Sequence, residues 1–222
     1  MHYLLIFLLQ FLGFFLIKIA LTAMEVNVSK AFRRLETYAE WMDETGTDLI
    51  EPSLTASSIK KGLDAWHMNV TSKKDGELIW WADMSKVDMK YLKKEISPED
   101  SLRAFVWYSH YIMCHKVAQG KGLIFVYDMD KLGMVKTFTM MPTKLAAKLD
   151  RLTIGVLPVK MKALYCMDSP RWVSLLMKLM GVFMSKKMKE RFVMMDDWKK
   201  LEEMFDPEIV PKGFGKLEGS KH

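Results

Sequence analysis

Little in this chain invites a covalent or catalytic reading. Only two cysteines occur in 222 residues, Cys114 and Cys166, and both sit in apolar runs. Cysteine so sparse and so placed argues against a disulfide framework and suits a reducing compartment. No G-x-S-x-G, Walker A or H-E-x-x-H pattern is present, which removes the hydrolase, NTP-binding and zinc-protease signatures those motifs carry. Zinc-finger spacing and the RNP aromatic motif are missing too, so no nucleic-acid partner is expected. His110 and Cys114 stand one helical turn apart, but no second ligand pair accompanies them, and they read as core or surface groups. Gly213-Phe214-Gly215 follows no strand and lacks a third glycine in place. Asp128 ends an apolar run with no nucleophile or base beside it and reads as a turn former. No enzyme, cofactor or metal is expected. There is no internal repeat and no low-complexity stretch.

What is present is greasy and locally basic. Hydrophobic residues make up 50% and charged residues 27% of the chain, which rules out extended disorder as its main state. The length allows one sizeable domain with an appendage. Methionine reaches 20 residues. Its flexible thioether suits irregular apolar cavities, though codon bias with ordinary core filling gives the same count. The net charge of +6 is concentrated. Between Arg151 and Arg191 the bases are Arg151, Lys160, Lys162, Arg171, Lys178, Lys186, Lys187, Lys189 and Arg191, against Asp168 and Glu190. Such a face attracts phosphate groups.

The most informative stretch is Val159–Arg191. An apolar strand, Ala163–Met167, stops at Asp168-Ser169-Pro170, and a helix follows over Pro170–Met180. Polar residues fill only one stripe of it: Arg171, Ser174 and Lys178. A helix apolar over most of its circumference buries more than one face. The spare face asks for a lipid or a bilayer, unless the helix is simply core.

The N-terminal segment admits three readings. Tyr3–Ile17 is apolar except for Gln10, Lys18 interrupts, and Ile19–Met24 resumes. As a signal peptide it has an apolar region and a small-residue end at Ala20–Ala23 but lacks the positive start; as a membrane anchor it approaches the ~20 residues of a span; as a core helix it opens the fold. Two glycosylation sequons, at Asn27 and Asn69, matter only on a secretory route.

Farther along, apolar spacing predicts a helix over Val28–Met42, and Thr45–Ser58 reads as a connector. Trp66–Val70 and Leu78–Ala82 read as strands joined by a turn at Lys73–Gly76. Ser97 caps a long helix with Pro98 in its first turn, Asp100 answering as in a capping box and Leu102, Phe105, Val106, Ile112 and Met113 on its apolar face. Gly122–Met129 is a continuous apolar run, as expected of a central parallel strand. A helix over Thr143–Leu152, a strand at Phe192–Met194 and a helix capped by Asp196 complete an α/β pattern.

At these residues the chain resembles the CRAL-TRIO lipid-binding family, especially its tocopherol and retinaldehyde branch. Four blocks carry the likeness: Lys73–Trp81 (KKDGELIWW), Gly122–Met134 (GLIFVYDMDKLGM), Leu157–Arg191, and Asp206–Gly215 (DPEIVPKGFG). The third is the most specific. Val26–Trp41 and Phe7–Leu12 (FLLQFL) echo the small helical domain that precedes the family's lipid domain. Three departures stand out. Asp168 replaces an Asn, Lys131 replaces the first Gly after the strand Asp, and Lys216 replaces the second terminal Gly.

The resemblance implies an α/β fold with a mixed, largely parallel sheet of about five strands, and a lid helix over an apolar pocket. The expected layout is an apolar segment at 1–23, a remnant helical domain and linker at 24–58, the lipid domain at 59–216 and a tail at 217–222. Lid hinges are expected at Asp168, Pro170 and Gly181. Expected pocket lining is Phe125, Tyr127, Met140, Leu164, Cys166, Trp172, Leu176, Leu179 and Phe183. Expected phosphoinositide contacts are Lys160, Lys162, Lys187 and Arg191. The implied function is to bind a small hydrophobic molecule (retinoid, tocopherol-like or another lipid) and transfer it between phosphoinositide-containing membranes. The alternative is a membrane-tethered phosphoinositide-binding scaffold without cargo. The implied location is cytoplasmic and peripheral to membranes, or anchored through residues 3–23.

Overall fold

The computed structural model describes residues 16–25, 27–50, 54–73, 76–140, 144, 156–181 and 186–216. A five-stranded sheet runs in chain order, β1 (Met68–Ser72), β2 (Leu78–Asp83), β3 (Leu123–Asp128), β4 (Met161–Met167) and β5 (Phe192–Met195). β1 and β2 form an antiparallel hairpin, and every later neighbour is parallel. The hairpin closes as its sequence predicts, with Gly76 N–H donating to Lys73 O and Lys73 N–H to Glu77 O. All six residues of β2, LIWWAD, are buried, as a strand covered on both faces requires. β1 starts two residues later than Trp66, because His67 takes a left-handed φ of +44° that no strand tolerates.

Two apolar layers sandwich the sheet. One holds Leu78, Trp80, Ala82, Leu123 and Phe125 against the helices Lys60–Ala65 and Pro98–Cys114. The other holds Ile79, Trp81, Ile124, Val126 and Met167 against Trp198, Leu201, Phe205 and Phe214. In the long helix, all five residues expected on the apolar face are buried. Ser97 Oγ accepts the Asp100 N–H at 2.9 Å, as a cap should. The reciprocal arm differs from a capping box, since Asp100 Oδ2 takes the Ser97 hydroxyl at 2.8 Å.

Two expectations need correction, and one choice left open by the sequence is narrowed. The connector at Thr45–Ser58 is partly helical. A π-helical turn over Met42–Gly46 leads into a helix at Thr47–Ile50. Gly46 permits this by lying under Trp41, where a Cβ would sit 2.5 Å from the indole ring. The cap of the last helix is Asp197, whose side chain accepts from Lys200 N–H. Residues 16–23 are helical, with Ile19 and Ala20 wholly buried and Ala23 3% exposed. One face of that segment is core, with Ile19 packed in the same cluster as Trp41 and Trp66, while Ile17, Lys18 and Thr22 are exposed. Residues 1–15, the rest of the expected anchor, lie outside the described residues, as does most of the expected helix at 143–152. No helix among the described residues is long and apolar enough to cross a membrane.

The Val28–Trp41 helix is fastened to Pro98–Cys114 by a buried relay. His110 Nδ1–H donates to Val106 O at 2.8 Å, which leaves Nε2 to accept the Tyr38 hydroxyl at 2.7 Å. Both ring nitrogens of His110 are thus engaged, and burial lowers its pKa. It is not poised as a metal ligand with Cys114.

Candidate functional site

The basic cleft is built where β4 begins. Lys160 precedes the strand, and its carbonyl accepts Leu123 N–H at 2.9 Å. Gly122 makes that approach possible. Its φ is +97°, and a Cβ there would lie 2.6 Å from Lys160 O and 3.0 Å from Lys162 Cγ. The Lys162 stem therefore lies across bare glycine backbone. Lys187 and Arg191 come from the Lys186–Arg191 helix, one turn apart, so they share a face.

Lys160, Lys187 and Arg191 line one cleft of about 280 Å³ with Lys30, Arg34 and Glu25. Lys162 does not line it. Its charge still reaches it, because Lys162 helps hold the Glu25 carboxyl below the usual range. The larger causes there are the hydrogen bond and charge of Lys160. Sequence reasoning missed Lys30 and Arg34. Their spacing on the Val28–Trp41 helix is the same i,i+4 interval that separates Lys187 and Arg191, but nothing in it says which helix faces β4.

On the adjoining sheet face, the strand register sets two rows of side chains. Phe125, Leu164 and Phe192 are cross-strand neighbours, and so are Tyr127, Cys166 and Met194. Four expected lining residues, Phe125, Tyr127, Leu164 and Cys166, thus share one face, since alternate strand residues point the same way. Burial pushes the Cys166 thiol up to about 12, so it serves as an apolar group and not as a nucleophile.

The helix Arg171–Met180 crosses beside these rows. Its Ser174, Met177 and Lys178 join Gly181, Lys189, Phe192 and Met194 around an open cleft of about 400 Å³. Trp172 is half-buried and donates its indole N–H to Leu132 O at 3.0 Å. Val173 is buried. Leu175 and Leu176 face solvent, 61% and 42% exposed. The helix buries one side and leaves a second apolar side uncovered. Leu176 therefore does not point inward as expected. Met177, Phe192 and Met194 take part, and the sequence reading named none of them as lining. The side chains of Met140 and Leu179, and Phe183 entirely, lie outside the described residues.

The hinge expected at Asp168–Pro170 is tied down. Asp168 has a left-handed φ of +47°. Its Oδ2 accepts the Trp198 indole N–H at 2.8 Å and the Lys216 ammonium at 2.5 Å. Pro170 is the residue before the helix, in extended conformation, and Val173 N–H donates back to its carbonyl. Gly181, the other expected hinge, caps the helix in a right-handed conformation.

The carboxyl edge of the sheet collects acids. Asp83 and Asp128 are register partners on β2 and β3, and both are buried. Asp83 pairs with Lys86 at 2.7 Å. Asp128 Oδ1 accepts Asp130 N–H at 2.9 Å, the turn-forming role its sequence suggests. Burial, with smaller contributions from Asp83, Asp130 and Asp168, raises the Asp128 carboxyl to about 6. Among the described residues, no three His, Cys, Asp or Glu side chains gather as a metal site.

Residues 68–215 match the family model of the CRAL/TRIO domain. No curated protein matches the chain. Among solved structures, the crystal structure of Sfh5 is similar, with a TM-score of 0.58 at 11% identity, covering 92% of this chain and 77% of that one. At that identity the likeness speaks for the fold.

Proposed function

We propose that this chain, which belongs to the CRAL/TRIO domain family, carries one small hydrophobic ligand beneath the Arg171–Met180 helix and exchanges it at phosphoinositide-bearing membranes. Membership in that family makes lipid binding its general class, and a carrier without catalysis is the reading that class favours. The observation that carries the finer reading is the pair of cross-strand apolar rows beside a helix that keeps Leu175 and Leu176 in solvent. One side of that helix can close on cargo while the other meets acyl chains. Cargo that loses about 300 Å² of apolar surface to the protein gains roughly 7 kcal/mol. Retinoids, tocopherols and other lipids of that size all fit this logic, because apolar linings read shape more than chemistry.

The basic cleft supports docking. Multiply phosphorylated headgroups suit several converging cations, since charge-assisted bonds to phosphate are strong and directional. The protein would then work from the cytoplasm as a peripheral membrane visitor. Native mass spectrometry after incubation with mixed lipids tests the carrier role, with one retained lipid per chain expected. A chain that retains none, yet still binds phosphoinositide vesicles, is the scaffold. Neutralising Lys160, Lys162, Lys187 and Arg191 together is expected to abolish vesicle binding, and unchanged binding refutes the cleft.

A further inference from the structure

The cleft already contains an anion. Glu25 lies among Lys30, Arg34, Lys160, Lys187 and Arg191, and its Oε1 pairs with the Lys160 ammonium. Its position is set by backbone. Residue 25 has a left-handed φ of +56°, and its N–H donates to Thr22 O as the 16–23 helix ends. Two residues on, Asn27 caps the next helix by accepting Lys30 N–H at 3.0 Å. One helix end and one helix start therefore fix this carboxylate at the mouth of the cleft. The Glu25 side chain is 74% exposed and that of Lys160 28%, so the pair is easily parted.

We propose that Glu25 is an internal competitor for the anion site, occupying the place of one ligand phosphate until a multiply phosphorylated headgroup displaces it. The inference rests on the cleft being the headgroup site. A headgroup with several phosphates replaces the Glu25 contact to Lys160 and reaches Lys187 and Arg191 as well. A phosphatidylserine surface, which spreads its charge over many headgroups, has no comparable means of entering a cleft of about 280 Å³. Glu25 thereby keeps the most buried of these lysines from engaging diffuse negative charge.

The test compares the full chain with Glu25→Gln and, as a charge control, Glu36→Gln. Glu36 is exposed on the opposite side of the Val28–Trp41 helix from Lys30 and Arg34. Binding is measured to phosphatidylcholine vesicles containing phosphatidylinositol bisphosphate, to vesicles of matched charge containing phosphatidylserine, and to inositol trisphosphate in solution. Glu25→Gln is expected to tighten binding to the bisphosphate vesicles and to the soluble headgroup alike, by roughly threefold to tenfold. Phosphatidylserine binding should move no more than in Glu36→Gln. Equal gains on both vesicle types, or a gain confined to vesicles, would overturn the competitor role. So would unchanged binding in Glu25→Gln while a Lys187→Ala/Arg191→Ala double variant binds weakly. If that double variant also binds normally, the cleft itself is not the headgroup site.

Discussion

Lys216 Nζ lies 2.5 Å from Asp168 Oδ2, joining two residues 48 positions apart, one at the root of the candidate lid helix and one in the C-terminal turn. Each departs from the family pattern when read alone. Together they form an ion pair, with Trp198 N–H as a third partner. Gly215 lies directly on the Trp198 ring, where a Cβ would come within 2.0 Å of Cη2, so the turn that carries Lys216 is pressed flat against the residue beneath. The Gly215–Lys216 turn thus fastens the segment where the hinge is expected.

Lys216→Ala is expected to loosen that hinge without unfolding the protein. Its side chain is 57% exposed, and exposed pairs add little to global stability. Hydrogen exchange at residues 168–174 should quicken by roughly twofold to fivefold, with the melting temperature nearly unchanged. Exchange at wild-type rates would show that the hinge does not depend on the pair.

Gly122→Ala is expected to damage both the sheet and the basic cleft. The new methyl group would meet Lys160 O at 2.6 Å on a backbone at φ +97°. A cost of about 2–3 kcal/mol follows from strain and displacement of Lys160 just before β4. Urea unfolding measures the first effect and phosphoinositide-vesicle binding the second. Stability and binding both at wild-type level would contradict this account of how Lys160 is placed.

Lys131 occupies the turn after β3 with φ +55°, in the position where the family places glycine. Its side chain is 87% exposed, and its contact with Asp130 is long at 3.8 Å. Relief of the left-handed strain exceeds the extra chain entropy of glycine by a small margin. Lys131→Gly should therefore gain about 0.5–1 kcal/mol in chemical denaturation. A loss of stability would mean the lysine makes an interaction worth more than its strain.

Asp128 gives a pH signature. Its folded carboxyl titrates at about 6, against ~3.9 when unfolded. Between those values the unfolded chain releases a proton that the folded chain retains, so stability falls as pH rises through about 4 to 6. The full penalty applies above 6 and disappears below 4. Asp128→Asn keeps an oxygen to accept Asp130 N–H and removes the charge. It should be more stable than wild type by about 2 kcal/mol at pH 7 and equal to it near pH 3. Measured denaturation midpoints that favour wild type at pH 7 would sink the assignment.

Strands β2 to β5 were legible because each is a short, largely apolar run ended by a turn former, and DSP after β4 is as clear a stop as DG in the hairpin; β1, MNVTS, showed only through the turn that follows it. Lys160, Lys187 and Arg191 were legible through the family resemblance, since their chain separation hides any shared site. The pocket was less so. Leu176 has the same composition signal as Val173, and only the helix's rotation against the sheet decides which of them is buried. Glu25, Lys30 and Arg34 escaped because their place depends on how the first helices fold back onto β4. A lone acid two residues before a helix cap announces nothing about a lysine 135 positions away. The Asp168–Lys216 pair was visible only as two separate anomalies.

Strand order in this sheet equals order along the chain, from β1 to β5. Each new strand can therefore dock on the edge left by its predecessor, and no strand has to be threaded between two already joined. A ribosome releasing the chain from its N-terminus would supply the pieces in the sequence that assembly uses. The helix at Arg171–Met180 leaves the exit tunnel before β5, so the cleft it shares with Phe192 and Met194 is complete only when the last strand has docked.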